Sequence, residues 1–435
     1  MIGSERVQNL FAPALAEKKA LMLHRCQVAL HRDASMRAYH VPGRIEVLGK
    51  HTDYAGGRSM VAATEQGLIL EAAPRTDRLI RITSLDLAAT IEFQMHPELQ
   101  PSKGSWANYP MTVARRVAQN FPGDLRGVEI AITSDLPPAA GLSSSSALVV
   151  AIFLAIADAN DLWSRDAFRR NIKSIEDLAG YLGTTENGQN FGDLVGDRGV
   201  GTFGGSQDHT AIISGERDRL KVYKYCPVKL EQAIALPARW TFAIASSGVV
   251  AEKTGSAMEK YNLVSQRASS IVELWRKQTG RTDLTLHDAI SSAADASARI
   301  ESMLQTQDLR DRFRQFITES NKIVPRAASA IASEDTALLG TLVDESQHLA
   351  ETLLGNQTPE TSFLARCARE LGAVAASAFG AGFGGSVWAL VDLHEHPDFP
   401  TRWSQQYELS NPASSANPAF FTTRPAAGAC RIVTD

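Results

Sequence analysis

The sequence predicts an α+β protein of two lobes, and three observations support this prediction. Strand-like segments crowd the first part of the chain, at residues 36–49, 67–74, 79–84 and 127–133. Helix-like segments fill the part after about residue 230, at residues 255–278, 284–304, 306–320, 324–333 and 335–354. Two prolines, Pro227 and Pro237, interrupt the chain where its character changes. We therefore expect an N-terminal lobe over residues 1–230 and a C-terminal lobe over residues 231–435.

Apolar periodicity identifies the elements of the N-terminal lobe. Residues 4–30 place their apolar side chains roughly on one helical face. The segments "LIRITSL" and "VEIAIT" alternate apolar and polar residues, as half-buried strands do, whereas "GLILEAA" is nearly all apolar. A helix is predicted after Ser146 and another over residues 165–185. The turn residues "GERD" near residue 215 indicate a hairpin between "HTAII" and "LKVYKY".

In the C-terminal lobe, strands are predicted before and after the helices. One strand covers residues 240–248. The segment "SFLARCARELGAVAASAFG" is typical of a helix, which is predicted to end at Gly380. The glycine loop "GAGFGGS" then leads into the apolar strand "VWALVDL". The second lobe is therefore predicted to be mixed, with helices in the majority.

Composition and charge narrow the classes of function. The chain has 44 lysines and arginines against 48 aspartates and glutamates, a formal net charge of −4. This balance argues against partners such as nucleic acid or an anionic membrane. The cysteines, Cys26, Cys226, Cys367 and Cys430, lie far apart, which predicts reduced thiols. Because neither a signal peptide nor an apolar run of about 18 residues is evident, we expect a soluble, cytoplasmic protein.

The segment "GRIEVLGKHTDYAGG", residues 43–57, concentrates polar side chains directly after a strand. Ile45 and Val47 are apolar, and the chain then turns at glycine. Lys50, His51 and Asp53 follow within a few positions. A strand end and a glycine turn hold such side chains in fixed positions, which is typical of a ligand site.

The segment "LPPAAGLSSSSALVV", residues 136–150, is a candidate anion site. Gly141 permits a tight turn and close approach of a ligand. The serines begin a helix, whose first N–H groups have no internal partner and whose dipole favours a phosphate. A serine hydroxyl can also bind Mg²⁺ beside that phosphate. A flexible serine loop with a helix cap explains the same residues, and no Walker A sequence is present.

Two further segments are ambiguous when taken alone. "AFGAGFGGSVWAL", residues 378–390, places four glycines before a strand. One explanation is that the backbone is crowded by a ligand or by the first glycine loop, which contains Gly141. The other is that a helix ends there. "GGSQDHTAII", residues 204–213, places Asp208 before an apolar run, where a carboxylate also suits a helix N-terminus. Neither pattern identifies a function by itself.

In combination and in this order, the four segments resemble the GHMP small-molecule kinases, and the galactokinase branch in particular. The resemblance covers essentially the whole chain, and "HTDY" is typical of sugar kinases of this type. It implies an N-terminal lobe like ribosomal protein S5 domain 2 and a ferredoxin-like C-terminal lobe with added helices. ATP and a sugar would bind in the cleft between the lobes, so the four segments are expected to line one crevice.

The resemblance also implies a role for individual residues. Asp208 would lie beside the sugar hydroxyl that receives the phosphoryl group, next to Arg44, whose positive charge would favour the ionised carboxylate. The residues implied to bind the sugar are Lys50, His51, Asp53, Gly205 and Tyr261. The residues implied to bind ATP are Trp106 near the adenine, Gly141, Leu142, Ser143, Ser144 and Ser145 around the phosphates, and Gly382. Ser145 and Glu186 would bind Mg²⁺.

The chain departs from the galactokinase pattern at several positions. Lys50 replaces a glutamate that would accept a hydrogen bond from the sugar, whereas lysine can only donate. Lys50 could bind the carboxylate of a uronic acid, donate to a neutral hydroxyl of galactose, or pair with a protein carboxylate such as Glu46. The other departures are Glu46 and Ala55 in place of asparagines, His209 in place of glutamine and Ser146 in place of alanine.

The expected activity is ATP-dependent phosphorylation of a monosaccharide, galactose in the first instance, at its anomeric C1 hydroxyl. A uronic-acid 1-kinase that acts on galacturonate or glucuronate is the alternative that Lys50 raises. A sensor that binds sugar and ATP without turnover is an alternative of another class. A kinase for mevalonate or homoserine is disfavoured by the HTDY segment. The family resemblance implies a monomer.

Overall fold

Two β-sheets organise the chain in the computed structural model, which describes residues 2–30, 36–102, 104–137, 141–249, 255–410 and 418–433. In chain order the strands are β1 (Ser4–Glu5), β2 (Arg37–Leu48), β3 (Arg58–Pro74), β4 (Leu79–Ser84), β5 (Ala89–Gln94), β6 (Val128–Ser134), β7 (Arg219–Lys224), β8 (Lys229–Ala235), β9 (Trp240–Ser246), β10 (Ala375–Phe379), β11 (Ser386–Asp392), β12 (Ala419–Thr423) and β13 (Cys430–Ile432).

Helices surround both sheets. In chain order they are α1 (Val7–Leu10), α2 (Pro13–Leu30), α3 (Asn108–Asn120), α4 (Ser144–Ala159), α5 (Asp166–Asn171), α6 (Ile175–Asn187), α7 (Gln207–Ser214), α8 (Gly255–Thr279), α9 (Leu286–Ser291), α10 (Ala296–Met303), α11 (Gln307–Ile317), α12 (Val324–Ala332), α13 (Thr336–Leu349), α14 (Pro359–Glu370) and α15 (Phe399–Ser410). A π-helical segment, Thr318–Ile323, joins α11 to α12, and a short 3-10 turn covers Asp53–Ala55.

The first sheet contains nine strands in the order β1-β13-β2-β3-β6-β4-β5, with β7 beside β3 and β8 beside β7. The second sheet has the order β10-β11-β9-β12 and is antiparallel throughout. The predicted α+β class is therefore confirmed. The chain passes from the first sheet to the second between Ala235 and Trp240, and β13 returns to the first sheet. The division into lobes at residues 230 and 231 stays a prediction.

The most deeply buried helix is α4. It begins within the segment "LPPAAGLSSSSALVV", here called the serine loop, and places that segment at the cleft. Its side chains from Val149 to Ala157 are almost completely shielded from solvent, as expected for a helix that is apolar on all sides. It packs against α3 on one side and against β2 and β3 on the other. The core thus fixes the axis of α4, and its first turn, Ser144 onward, faces the region where the two sheets meet.

Several predicted elements differ in detail from the structure. Within the predicted helix over residues 4–30, Ser4–Glu5 form strand β1 and the remainder is two helices. The helices separate before Pro13, because proline favours a helix start. The predicted helix over residues 165–185 is likewise split into α5 and α6, and Ser174 caps the second.

Two predictions of element type are wrong. "HTAII" lies in α7, so the hairpin near residue 215 does not exist, and the hairpin is formed by β7 and β8. The helix predicted to end at Gly380 ends at Glu370, since Gly372 takes the left-handed conformation there, and residues Ala375–Phe379 form β10. A run of small apolar residues does not distinguish a short buried strand from a helix.

Two sequence predictions on composition can be checked against the coordinates. All four cysteines are free thiols. Among the described residues, no helix is both long and apolar enough to cross a membrane.

A buried ion pair fastens α2 to the first sheet and gives a test of the fold. Asp135 receives Lys19 Nζ at 2.8 Å and Lys18 Nζ at 3.1 Å, but Lys19 is completely buried whereas Lys18 is 56% exposed. We expect Asp135→Asn to lower the free energy of unfolding by about 3–5 kcal/mol, because it leaves a buried ammonium without its counter-charge.

The matched control is Lys18→Met, which removes the exposed partner of the same carboxylate. We expect this change to cost less than about 1 kcal/mol. Both values are measured by urea unfolding followed by tryptophan fluorescence. Equal losses for the two variants would contradict the assignment of the stabilisation to Lys19.

Candidate active site

The four sequence segments meet at one cavity, as predicted. This smaller cavity is lined by Arg44, Glu46, His51, Asp53, Tyr54, Ser146, Glu186, Asn187, Thr202, Gly204, Gly205, Gln207, Asp208, His209, Tyr261, Gly380 and Ala381. A larger cavity adjoins it and has a volume of about 560 Å³. Arg44 and Ala381 line both cavities, so the two cavities adjoin each other at these residues.

Strand β2 carries Arg44 and Glu46 into the smaller cavity. Residues two apart on a strand point to the same face, and the residue between them, Ile45, faces the core. The pairing of β2 with β3 is irregular on both sides of this pair, between Pro42 and Arg44 and between Glu46 and Leu48. Such irregularities bend a strand and redirect its side chains next to functional sites.

Asp208, at the start of α7, is held by charge and hydrogen bonds on both oxygens. Arg44 Nε lies 2.7 Å from Oδ1, and Ser143 Oγ donates to Oδ2 at 2.6 Å. Arg44 also donates from Nη1 to the Gly141 carbonyl at 2.6 Å. Ser143 has a left-handed backbone with φ of 58°, a strained conformation that turns its hydroxyl toward Asp208. The serine loop and the catalytic candidate are thus one hydrogen-bonded unit.

Asp53 lies in the 3-10 turn, against the segment that carries Asp208. Its Oδ2 accepts the backbone N–H of Gln207 at 3.1 Å. A Cβ at Gly205 would stand 2.4 Å from the same oxygen, so only glycine lets the two segments approach this closely. Burial raises the pKa of Asp53, and the negative charge of Asp208 adds to this increase, whereas the Gln207 N–H opposes it.

His51 and Tyr261 complete the wall of the smaller cavity. His51 Nε2 lies 3.1 Å from the Ala381 carbonyl, and Nδ1 lies 3.0 Å from the Tyr54 hydroxyl. Because a carbonyl only accepts, Nε2 carries the proton in the first contact. The rings of His51 and Tyr261 lie 5.3 Å apart. His51 therefore links the HTDY turn to the C-terminal glycine loop, and its predicted contact with a sugar stays a prediction.

The predicted metal ligands, Ser145 and Glu186, lie in different cavities. Ser145 lines the larger cavity, whereas Glu186 lines the smaller one and accepts a hydrogen bond from Ser146 at 2.9 Å. His209 Nε2 lies 3.2 Å from Glu186, close enough for attraction but without the alignment of a hydrogen bond. The hydroxyl next to Glu186 is thus Ser146 rather than Ser145.

The larger cavity collects most of the residues predicted to bind ATP. Among its lining residues are Trp106, Gly141, Ser143, Ser144, Ser145 and Gly382. Leu142 is the exception, since its side chain is buried in the core and only its carbonyl, which accepts the Arg44 N–H at 3.2 Å, faces the site. Residues 138–140 of the serine loop lie outside the described residues. Tyr109, which the sequence did not single out, also lines this cavity.

The two glycine loops pack against each other, which explains their composition. A Cβ at Gly380 would lie 3.1 Å from the Gly141 carbonyl and 3.3 Å from an Arg44 guanidinium nitrogen. A Cβ at Gly382 would lie 2.3 Å from the Asn356 carbonyl. Both glycines also have positive φ angles. Crowding by the first loop was one of the two explanations that the sequence left open, and the structure supports it.

The structure does not place Lys50 in either cavity, so the geometry does not support its predicted contact with substrate. Lys50 is buried, and its Nζ donates to Ser377 Oγ at 2.8 Å and to Ser346 Oγ at 3.1 Å. Ser346 in turn donates to Glu319 at 3.0 Å. Of the three alternatives, the one in which protein groups hold Lys50 agrees with this arrangement. Its hydrogen-bond partners are serines, however, and not Glu46.

Glu46 is one of the cavity residues for which the sequence predicted no substrate contact. It is 3% exposed, and burial raises its pKa to about 8 against the opposing charges of Arg44 and Lys50. Alternation along β2 could have identified it, because an acidic residue two positions after Arg44 must face the same side. A carboxyl group with such a pKa in a cleft is typical of functional sites.

Comparison with known proteins identifies family domains along the chain. The GHMP kinases N terminal domain matches residues 108–190, and the GHMP kinases C terminal domain matches residues 327–409. The galactokinase galactose-binding signature matches residues 29–74, which include the HTDY turn.

Curated relatives and solved structures agree with these matches. The chain is 27% identical over 410 residues to a galactokinase of Roseiflexus sp. (strain RS-1), and this match covers 93% of the present chain and 94% of the galactokinase. It is 26% identical over 364 residues to a galactokinase of Glaesserella parasuis serovar 5 (strain SH0165), covering 82% and 86%. Lactococcus lactis galactokinase complexed with galactose has a similar fold, with a TM-score of 0.77, 22% identity and coverage of 94% and 98%.

The position of Lys50 gives a testable prediction. We expect Lys50→Met to lower the free energy of unfolding by roughly 3 kcal/mol. Lys50 and Glu319 are both hydrogen-bonded to Ser346, and the substitution removes the positive charge near the buried Glu319. The ratio of kcat/KM for galactose and galacturonate should not change. Lys322→Met is the control, since Lys322 is exposed in the same π-helical segment. A stable Lys50→Met protein with an altered sugar ratio would contradict the structural role.

The pKa of Glu46 predicts a pH dependence of stability. The folded state keeps the Glu46 proton up to about pH 8, whereas the unfolded state releases it near the ordinary value of 4.5. The folded state therefore binds more protons in this interval, and the free energy of unfolding falls as pH rises through it.

Glu46→Gln removes this contribution. We expect the variant to gain stability relative to the wild type by a few kcal/mol between about pH 5 and pH 8. The measurement is urea unfolding at several pH values without ligand. A constant difference between the two proteins across this range would show that Glu46 titrates normally.

Proposed function

This chain belongs to the GHMP kinases, and from this membership and the geometry of its cleft we propose that it transfers the γ-phosphoryl group of ATP to the anomeric C1 hydroxyl of a monosaccharide, with galactose as substrate. One observation carries the proposal. Arg44 lines both cavities and pairs with Asp208 at 2.7 Å, so an acceptor in the smaller cavity and a phosphate in the larger one would meet at this pair.

The larger cavity suits a nucleotide triphosphate. Trp106 and Tyr109 offer aromatic surface for a base. The first turn of α4, with the hydroxyls of Ser144 and Ser145, offers N–H donors and a positive helix end for phosphates. Its volume of about 560 Å³ lies within the range of small-molecule sites.

The smaller cavity suits a neutral, hydroxyl-rich ligand. Its lining includes four carboxyl groups, those of Glu46, Asp53, Glu186 and Asp208. Carboxyl oxygens accept hydrogen bonds from sugar hydroxyls, and those that are ionised repel an anion. This charge pattern disfavours a uronic acid, and the burial of Lys50 away from the cavity removes the feature that suggested one.

Asp208 would orient the acceptor hydroxyl and take its proton. In the transfer, the anomeric oxygen forms a bond to the γ-phosphorus, and the bond between that phosphorus and the bridging oxygen of ADP breaks. The proton passes to a carboxylate oxygen of Asp208 and then to solvent. Because the transition state is loose, positioning and neutralisation of charge contribute most, and the Arg44 guanidinium supplies both.

Mg²⁺ would neutralise phosphate charge when it is bound together with ATP. Such sites need only one or two carboxylates beside the phosphates, and Glu186 with the hydroxyls of the serine loop fits that requirement. Within the described ranges, no cluster of three or more His, Cys, Asp or Glu side chains could hold a metal ion without a nucleotide. Ser146, which donates to Glu186 at 2.9 Å, is the hydroxyl that we add as a candidate ligand, and the role of Ser145 in the larger cavity stays a prediction.

A sensor that binds without turnover is the alternative of another class. It would require loss of the transfer machinery, but Asp208, Arg44 and the serine loop are all present and connected. An assay of ADP release with galactose, glucose, galacturonate and mevalonate separates the alternatives. Turnover of galactose is expected, whereas ATP binding without turnover of any of the four would support the sensor.

The role of Asp208 gives a further prediction. We expect Asp208→Asn to lower kcat by about 10²- to 10⁴-fold with little change in KM for galactose, because the amide keeps the shape of the group but cannot take a proton. Asp193→Asn, at an exposed position, is the control. Steady-state kinetics by ADP release measure both. Wild-type kcat in Asp208→Asn would refute the assignment.

A further inference from the structure

The residues that line the smaller cavity include four buried polar atoms without a hydrogen-bond partner in the described part of the chain. Two are the ring nitrogens of His209, of which Nε2 lies 3.2 Å from Glu186, and the other two are Glu46 Oε1 and Gln207 Nε2. Glu46 is 3% exposed and Gln207 is 5% exposed, so both lie on the floor of the cavity. A buried polar atom without a partner costs about 1–3 kcal/mol, and a ligand group that supplies the partner would recover this.

The chemistry of the two atoms is complementary. A carboxyl oxygen accepts hydrogen bonds and, when it carries the proton, also donates one, whereas an amide nitrogen only donates. A sugar hydroxyl both donates and accepts, so it can satisfy groups of either kind. The nearby charges of Arg44 and Lys50 oppose the increase in the pKa of Glu46, and neither group donates a hydrogen bond to Glu46 Oε1.

The position of Glu46 along β2 separates it from the reacting hydroxyl. Arg44 pairs with Asp208 at the transfer point, and the backbone of Glu46 lies roughly 6.7 Å farther along the strand. This displacement is comparable with the width of a hexose ring. A sugar whose C1 hydroxyl lies beside Asp208 would therefore present a different ring hydroxyl to Glu46.

We propose that Glu46 determines sugar specificity by hydrogen-bonding one non-reacting hydroxyl of the substrate, with Gln207 as an additional donor in the same cavity. This inference rests on the proposed function, since it assumes that the ligand of the smaller cavity is a monosaccharide. It adds a specificity residue at position 46, whereas the sequence pattern directs attention to position 50.

The test is a set of double-mutant cycles between enzyme and sugar. Wild type and Glu46→Ala are compared on galactose and on its 2-, 3-, 4- and 6-deoxy analogues, by kcat/KM and by binding calorimetry. One analogue lacks the hydroxyl that Glu46 binds. For this analogue we expect the wild-type kcat/KM to be roughly 10- to 100-fold lower than for galactose, which is the size of a hydrogen bond to a buried carboxyl. Glu46→Ala should lower kcat/KM for galactose by a similar factor. The variant should then act on that analogue with the same kcat/KM as on galactose.

Glu71→Ala is the matched control. Glu71 is also 3% exposed, lies on the neighbouring strand β3 and lines neither cavity. Glu71→Ala should change kcat/KM by the same factor for all five sugars. If Glu46→Ala does not fold, Glu46→Asn carries the test, because its amide is one methylene shorter and does not reach the hydroxyl.

The outcomes separate the two proposals. A uniform loss on all five sugars in the Glu46 variants would overturn the specificity role while leaving the kinase activity intact. Sugar binding without wild-type turnover would overturn the proposed function, and the calorimetric cycles would still decide the role of Glu46. Absence of binding of any of these sugars would overturn both.

Discussion

The ion pair between Arg44 and Asp208 is the interaction on which the rest of the cleft depends. The Arg44 side chain is 3% exposed, and a buried guanidinium is tolerated only when counter-charge and acceptors surround it. Asp208 and the Gly141 carbonyl provide these partners, and they come from α7 and from the serine loop. Three segments that are far apart in sequence must therefore meet at one point. The strained backbone of Ser143 and the glycines that pack beside Arg44 follow from that requirement.

The HTDY turn depends in a similar way on the helices that follow residue 300. Glu319, in the π-helical segment, accepts the N–H of Gly49 at 2.7 Å. Arg312 bonds to the His51 carbonyl, and Gln315 donates to the Lys50 carbonyl at 3.1 Å. A π-helical segment shifts the register of a helix, and such segments often occur at functional sites. The turn is thus held from the C-terminal half of the chain, which couples that half to the geometry of the smaller cavity.

Much of this arrangement could be predicted from sequence, and the exceptions have physical causes. The segments that carry Asp208, the serines and the HTDY turn were identified because glycines and polar residues interrupt strong apolar patterns. The helix prediction over "AVAASAF" is wrong because small apolar residues fit a strand and a helix equally well. The partners of Lys50 could not be predicted because Ser346 and Ser377 are about 300 residues away in sequence and ordinary in composition.

Glu46 illustrates a different limit of sequence reasoning. Its direction follows from strand alternation, but its burial, its unpartnered oxygen and its raised pKa depend on Arg44, Lys50, Asp53 and Asp208 in three dimensions. The two cavities also differ in character: the smaller one is rich in carboxyl groups, and the larger one presents a helix N-terminus and aromatic surface. An acidic hollow attracts hydroxyl donors and repels anions, whereas a helix N-terminus attracts phosphates. This contrast in charge supports the proposed arrangement, in which a sugar and a nucleotide bind on opposite sides of Arg44.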